Sequence, residues 1–360
     1  MNITQLLTAA GLLLTACAQP AAEGNYTRFV DPKIGTGGHG HVFVGANVPF
    51  GMVQVGPTSI PQSWDWVSGY HDSDSTVVGF SHTHLSGTGI GDLFDVTVMP
   101  VGEVTYARGE EKDPQSGLWS YADRTKEAVR PGYYSVPLVR YDITAEMTAT
   151  ERVGLHRYTF PAAEDAAVVF DLENGGCWDK ATETHLEQEG DTRITGWRYS
   201  TGWAKDQRVY FVAEFSKPFA KFETVGERYA RASFSTNDGE QVLVKVALSP
   251  VSVEGAEANL AAELPGWDFE ATVQAADAKW NAELSKVKIT TTDQTARRIF
   301  YTALYHTMVA PSVFCDVNGD YYGSDHAIHR AADFTNYTTF SLWDTYRAAM
   351  PLMTVLHPEK

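Results

Sequence analysis

The stretch QVLVKVALSPVSVEGAEANLAAELPGWDFEATVQAADAKWNAELSK, residues 241–286, changes texture in mid-course, and that change decides the fold. Its first eight residues, QVLVKVAL, form a short β-rich run of the length of one strand. Past Pro265-Gly266, the residues Phe269, Val273, Ala276, Trp280 and Leu284 recur at spacings of three and four, which places them on one face of an amphipathic helix over 269–286. Upstream the strand texture repeats. The runs 95–99 (DVTVM), 166–172 (AAVVFDL) and 208–215 (RVYFVAEF) lie between turns bearing Gly, Pro and Asp, and together they predict a large antiparallel β-sandwich over 26–265. Downstream, 266–291 reads as a helical linker, and Thr292-Asp293 caps a further helix that runs through Phe300, Ala303, Leu304, Thr307 and Met308 before Pro311. Residues 313–330 read as an irregular strand-and-turn excursion about Asn318-Gly319, and a last helix is expected from about Thr339 to Leu356, kinked or ended early by Pro351. The fold class is mainly β with C-terminal helices. So few helices leave apolar faces that need further layers, so the chain reads as an incomplete copy of something longer.

Lys and Arg number 28 against 45 Asp and Glu, a formal charge of −17, and no run concentrates basic residues against it. Nucleic acid is therefore not an expected partner. Nine Trp and seventeen Tyr suit carbohydrate, whose rings present apolar C–H faces and whose rims present hydroxyls. Residues 6–16, LLTAAGLLLTA, are too short to span a bilayer, which takes about 20 helical residues, and have the length of a signal-peptide core. They end in Leu14-Thr15-Ala16-Cys17, which resembles the bacterial lipobox, although MNITQ carries no Lys or Arg ahead of the core. Residues 1–17 thus read as a lipoprotein signal with Cys17 lipidated, the protein being exported to the periplasm or the outer membrane and touching membrane only through that lipid. Cys177 and Cys315 are then either buried thiols or a pair.

The densest chemistry lies early. Ile34-Gly35-Thr36-Gly37-Gly38-His39-Gly40-His41 lacks the Gly-Lys-Ser/Thr of a nucleotide loop and reads as backbone approaching something closely, a ligand or another loop. His39/His41 and His82/His84 are His-x-His pairs, a spacing that in extended chain serves zinc or simply anchors loops. Trp64 and Trp66, two apart, would share one side of a strand as a sugar platform or as core.

Several strings together carry a resemblance: DPKIGTGGHGHVFVGANVPFGMVQVGP (31–57), SGYH (68–71), GFSHTHLSGTG (79–89), PGYYSVPL (131–138), ITAEMTATERVGLHRY (143–158), FYTALYHTMVAP (300–311) and NYTTFSLWDTYRAAMPL (336–352). In order, over nearly the whole chain beyond residue 29, they resemble glycoside hydrolase family 92, exo-acting, calcium-dependent α-mannosidases of bacteria. The resemblance implies an N-terminal β-sandwich, a helical linker and an (α/α)₆ toroid of which 292–360 would be the truncated start, with the active site between sandwich and toroid. It implies that the catalytic Glu and Asp and most calcium ligands belong to the later toroid, so Glu146 and Asp316 are not promoted to those roles, and zinc recedes.

The resemblance also implies substrate contacts within this chain. Asp344, in Trp343-Asp344-Thr345-Tyr346-Arg347, would accept hydrogen bonds from mannose hydroxyls near a helix start, with Arg347 orienting it or binding the same sugar. Trp66, Trp64 and His84 complete the expected substrate-binding set. The expected function is the N-terminal fragment of an inverting exo-α-mannosidase acting on mannose-containing glycans, inactive alone. The alternative is a non-catalytic carbohydrate-binding or structural sandwich.

Overall fold

A computed structural model describes residues 24–61, 63–102, 107–110, 113, 116–340 and 345–360. Cys17, with the rest of the expected signal, and residues 341–344, which include Trp343 and Asp344, lie outside the described residues. Two antiparallel sheets face each other. The larger runs in the order Lys180–Glu189, Arg193–Thr201, Gln207–Phe215, Glu240–Ser249, Val153–Phe160, Ile143–Ala149, Tyr133–Leu138, Ala128–Arg130. The smaller runs Gly56–Thr58, Gly79–Ser81, Thr97–Val101, Ala163–Asp171, Tyr229–Thr236, Lys221–Val225. Alternation sends Val242, Val244, Val246 and Leu248 inward from one sheet to meet Val98, Val168 and Phe170 of the other, and Phe170 stacks on Phe211 across the gap, ring centroids 6.0 Å apart. Each such side chain, fully buried, stabilises the sandwich by about 1.5–3 kcal/mol.

The helices that follow include, among the described residues, α1 (Val253–Glu263), α2 (Phe269–Leu284), α3 (Gln294–His306) and α4 (Ala349–Leu356). Asp268 and Asp293 cap α2 and α3 by accepting from the first-turn amides of Ala271 and of Thr295 and Ala296. The five apolar residues that predict α2 are all buried in it. Helix α1 is not legible in the sequence, because its first turn holds Gly255, a poor helix former. A Cβ there would come within 2.2 Å of Asp316 Oδ2. The helix expected from about Thr339 is not continuous: Thr339 and Phe340 are non-helical, Tyr346–Ala348 form a turn, and α4 starts only at Ala349, with Pro351 in its first turn, where a missing N–H removes no helical bond, so the interruption falls just ahead of Pro351. Residues 43–50 bind the helices to the sandwich: Trp280 Nε1 donates to the Asn47 carbonyl (2.7 Å), Tyr305 OH to Asn47 Oδ1 (3.2 Å), and Phe43 and Phe50 share a core with Leu284, Leu304 and Met308. Cys177 and Cys315 are free thiols. Among the described residues no helix is long and apolar enough to cross a membrane.

Between the two sheets, on the inward face that His156 shares with Met147, Val244 and Tyr158, a hydrogen-bonded chain fixes its own tautomers. His82 Nδ1 donates to the Val96 carbonyl (2.6 Å), so its Nε2 accepts from His156 Nε2 (2.9 Å), and His156 Nδ1 accepts from Tyr158 OH (2.8 Å). Both rings are wholly buried. Burial pushes His82 down to about 4, and burial followed by the charge of His82 drives His156 well below the ordinary imidazole range. Burial likewise takes His84 down to about 3. Unfolded histidines bind protons from about pH 6.5 downward, whereas these rings in the folded state do not. Their contribution is therefore complete above that pH and lost as pH falls toward their folded values. The melting temperature is expected to fall steadily between pH 7 and pH 5, a window in which ordinary carboxylates hardly titrate; a flat profile there in scanning calorimetry would contradict it.

Candidate functional site

The glycine-rich loop closes on itself. A Cβ on Gly40 would lie 1.8 Å from the Gly35 carbonyl oxygen, and Gly35 and Gly38 take positive φ of 92° and 58°, so the close partner of this backbone is its own chain. The turn delivers two histidines to one carboxylate. His39 Nδ1 lies 2.6 Å and His41 Nε2 3.5 Å from Asp65 Oδ1. The His39 hydrogen bond, offset only in part by burial, holds the Asp65 carboxyl below the ordinary range.

Asp65 is the middle of a single 3₁₀ turn, Trp64–Trp66. At three residues per turn, positions two apart diverge, so the tryptophans do not form the shared face a strand would give. Trp64 is 49% exposed, meets His41 edge-on at 4.2 Å and donates Nε1 to the Gly89 carbonyl at 2.9 Å. Trp66 is half-buried, stacked on His71 at 4.4 Å, with Nε1 donating to Asp74 Oδ2 at 2.7 Å. Its role is largely internal. Trp64 presents its ring outward.

The other expected site residues are placed as follows. His84 is 4% exposed, donates Nδ1 to the Gln54 carbonyl (2.7 Å), sits between Phe43 and Phe94, and forms part of the wall of a mostly apolar cavity of about 160 Å³. Arg347 is exposed, and among the described residues its recorded partner is Tyr346, whose hydroxyl accepts from Nε at 2.6 Å. Asp344 lies outside the described residues. The structure thus brings together Trp64, Asp65, His39 and His41, and joins neither His84 nor Arg347 to them. Asp65 escaped the sequence reading; the signal for it was a carboxylate set between two tryptophans downstream of a His-x-His turn.

Chemically, the cluster offers one indole face, one imidazole 75% exposed at its side chain and a carboxylate kept ionised. These groups can seat the apolar face of a sugar ring and meet its hydroxyls. They do not fit calcium or zinc. Among the described residues no group of three or more His, Cys, Asp or Glu side chains could hold a metal ion, and no step is assigned to one.

Comparison with known proteins agrees with this architecture. The glycosyl hydrolase family 92 N-terminal domain matches residues 29–249, and the family's catalytic domain matches residues 255–360. An α-mannosidase of family GH92 from Bacteroides thetaiotaomicron, solved with mannoimidazole, superposes with a TM-score of 0.87 at 37% identity over 92% of this chain and 46% of its own. A second structure from that species, described as an inverting mannosidase, gives 0.79 at 27% identity over 93% of this chain and 46% of its own. A protein of Arthroderma benhamiae described as an uncharacterized secreted glycosidase is 27% identical over 88% of this chain and 46% of its own length. The chain thus spans about half the length of these relatives. With the sandwich profile covering both sheets and the catalytic profile taking up at α1, the chain belongs to glycosyl hydrolase family 92.

Proposed function

We propose that this chain supplies the sandwich wall and the first helices of a mannose-binding site in an exo-acting, inverting α-mannosidase of mannose-containing glycans. The observation that carries the reading is Trp64, exposed on one face and held from behind by His39, His41 and Gly89. In this reading the sandwich expected over 26–265 gives way earlier, its last strand ending at Ser249, with α1 and α2 forming the linker and 292–360 the opening of the toroid. Asp344 and Arg347 reach the sugar from the helical side, and Trp66 closes the 3₁₀ turn that carries Trp64, while His84, held between Phe43 and Phe94, stays apart from that wall. The general acid, the base and the calcium ligands are assigned to the part of the relatives that this chain does not span.

Trp64→Ala in the full chain is expected to abolish binding of methyl α-mannoside by titration calorimetry, with little change in melting temperature because the ring is half exposed. Undiminished binding would remove Trp64 from the site. We further propose export, in keeping with a secreted relative, and, from the lipobox-like Leu14-Thr15-Ala16-Cys17 alone, a lipid anchor at Cys17. Cys17→Ala should then move the protein from the membrane pellet to the soluble fraction, and an unchanged pellet on blotting would count against the anchor.

A further inference from the structure

Basic residues are the minority in this chain, 28 against 45 acids, yet three of them meet at one hollow. The 3₁₀ turn Thr27–Phe29 packs on α2 and α3, pinned by Tyr26 N donating to Asn281 Oδ1 (2.7 Å) and by Thr27 Oγ1 donating to Asp277 Oδ1 (2.8 Å). The hollow there, of about 780 Å³, is edged by Arg28, Lys288 and Arg297, and among the described residues no aspartate or glutamate lines it. The recorded partners of the two arginines are neutral. Both lie against the Phe29 ring, their guanidinium centres 4.7 and 5.1 Å from its centroid, and Arg297 also donates to the Thr291 carbonyl and to Gln294 Oε1 (3.4 Å). Ring and carbonyl hold the guanidinium groups in place without neutralising them. Asn281, which lines the same hollow, spends its oxygen on Tyr26, so its amide nitrogen is left as a donor.

We propose that this hollow binds the phosphate of an anionic lipid headgroup and so sets how the protein sits on a membrane surface. Like charges gathered in a concave site repel one another and draw in an anion, and planar guanidinium forks with an amide donor suit phosphate oxygens. Lipid is the source because of where the hollow lies in the chain. Gly24, also at its edge, follows Cys17 by seven residues, a stretch that spans at most about 25 Å when fully extended. An anchor at Cys17 therefore brings these cations to the headgroups, whereas a body of net charge −17 is otherwise repelled from an anionic surface. The site goes beyond the mannose wall and does not depend on it.

The test uses the full chain carrying Cys17→Ala, so that no acyl chain contributes, and co-sedimentation with vesicles of phosphatidylcholine alone or with about 30% phosphatidylglycerol. Any contribution of the apolar run 6–16 is common to both vesicles and cancels in their ratio. The phosphatidylglycerol vesicles are expected to bind at least about tenfold more strongly in spite of the protein's net charge, and added salt should release them. Arg28→Gln, Lys288→Gln and Arg297→Gln should each weaken that binding about fivefold and together remove the preference, while Lys205→Gln, an exposed lysine outside the hollow, changes nothing. Arg28 and Lys288 are exposed, so their double variant should melt like the parent and keeps the test decisive if Arg297→Gln, which also loses the Thr291 bond, does not fold. Equal binding to both vesicles, or a preference that survives the Arg28→Gln/Lys288→Gln double variant, overturns the proposal. Inorganic phosphate binding through the three cations by calorimetry, without any preference for phosphatidylglycerol, would make the hollow a site for a dissolved anion and overturn the lipid assignment.

Discussion

Arg198→Met is expected to destabilise the sandwich by about 3–5 kcal/mol, a large share of the 5–15 kcal/mol a domain ordinarily has. The guanidinium is fully buried. It donates to Asp95 Oδ1 at 2.7 Å, to Asp179 Oδ1 and to the Leu172 carbonyl at 2.9 Å, and the side chains of Asp95 and Asp179 are 0% and 1% exposed. Thr83 and Ser200 complete the two carboxylates. Methionine fills similar space but leaves two aspartates facing each other without a cation. Asp179, already pushed up by burial, would have to take a proton. The control is Arg228→Met: Arg228 pairs with Glu173 in the open, at 53% side-chain exposure, and such pairs contribute at most about 1 kcal/mol. Urea midpoints that shift equally in the two variants would show that the Arg198 cluster carries no special share of the stability.

That cluster was invisible in the sequence. Arg198 lies in RITGWRYST with charged and aromatic neighbours, and nothing local distinguishes a buried arginine from a solvated one. The strands could be read because burial of one face imposes a period of two, and α2 and α3 because each carries both an apolar stripe and an aspartate cap. Helix α1 lacked the stripe and carried Gly255. The glycine-rich loop reads as a close approach, but its partner, the Gly35 carbonyl five positions back, depends on the positive φ of Gly35 and Gly38, which glycine permits without specifying. The two tryptophans were read on a strand period, and a single 3₁₀ turn reversed the geometry. His82, by contrast with His39, turned inward to bond His156, 74 positions away. What pattern supplied was the layer order and the region of the site; what it could not supply was which side chains meet, since those contacts are made across large sequence separations.

The full chain is expected to release no mannose from aryl or oligomannosides above buffer, whether or not calcium is added. Inverting hydrolysis needs a carboxylic acid to protonate the leaving group and a carboxylate about 6.5–9.5 Å away to activate water, and the acid works only if its environment raises its pKa. At the Trp64 rim Asp65 is held the other way, ionised, by His39. Glu146, though burial raises it, is kept below the ordinary range by Arg157 and Tyr133. Asp316 is raised by burial, which is the right direction for an acid, but it is 2% exposed, bonded to Ser249 Oγ and Asn259 Nδ2 and backed by Gly255, so no leaving group can reach it. Losing one general acid or base forfeits about 10²–10⁴ in rate, and the described carboxylates named here supply neither. Mannose release with inversion, abolished by Asp65→Asn and unaffected by Asp316→Asn, would place the reaction on the Trp64 cluster and overturn its assignment to the part of the relatives that this chain does not span.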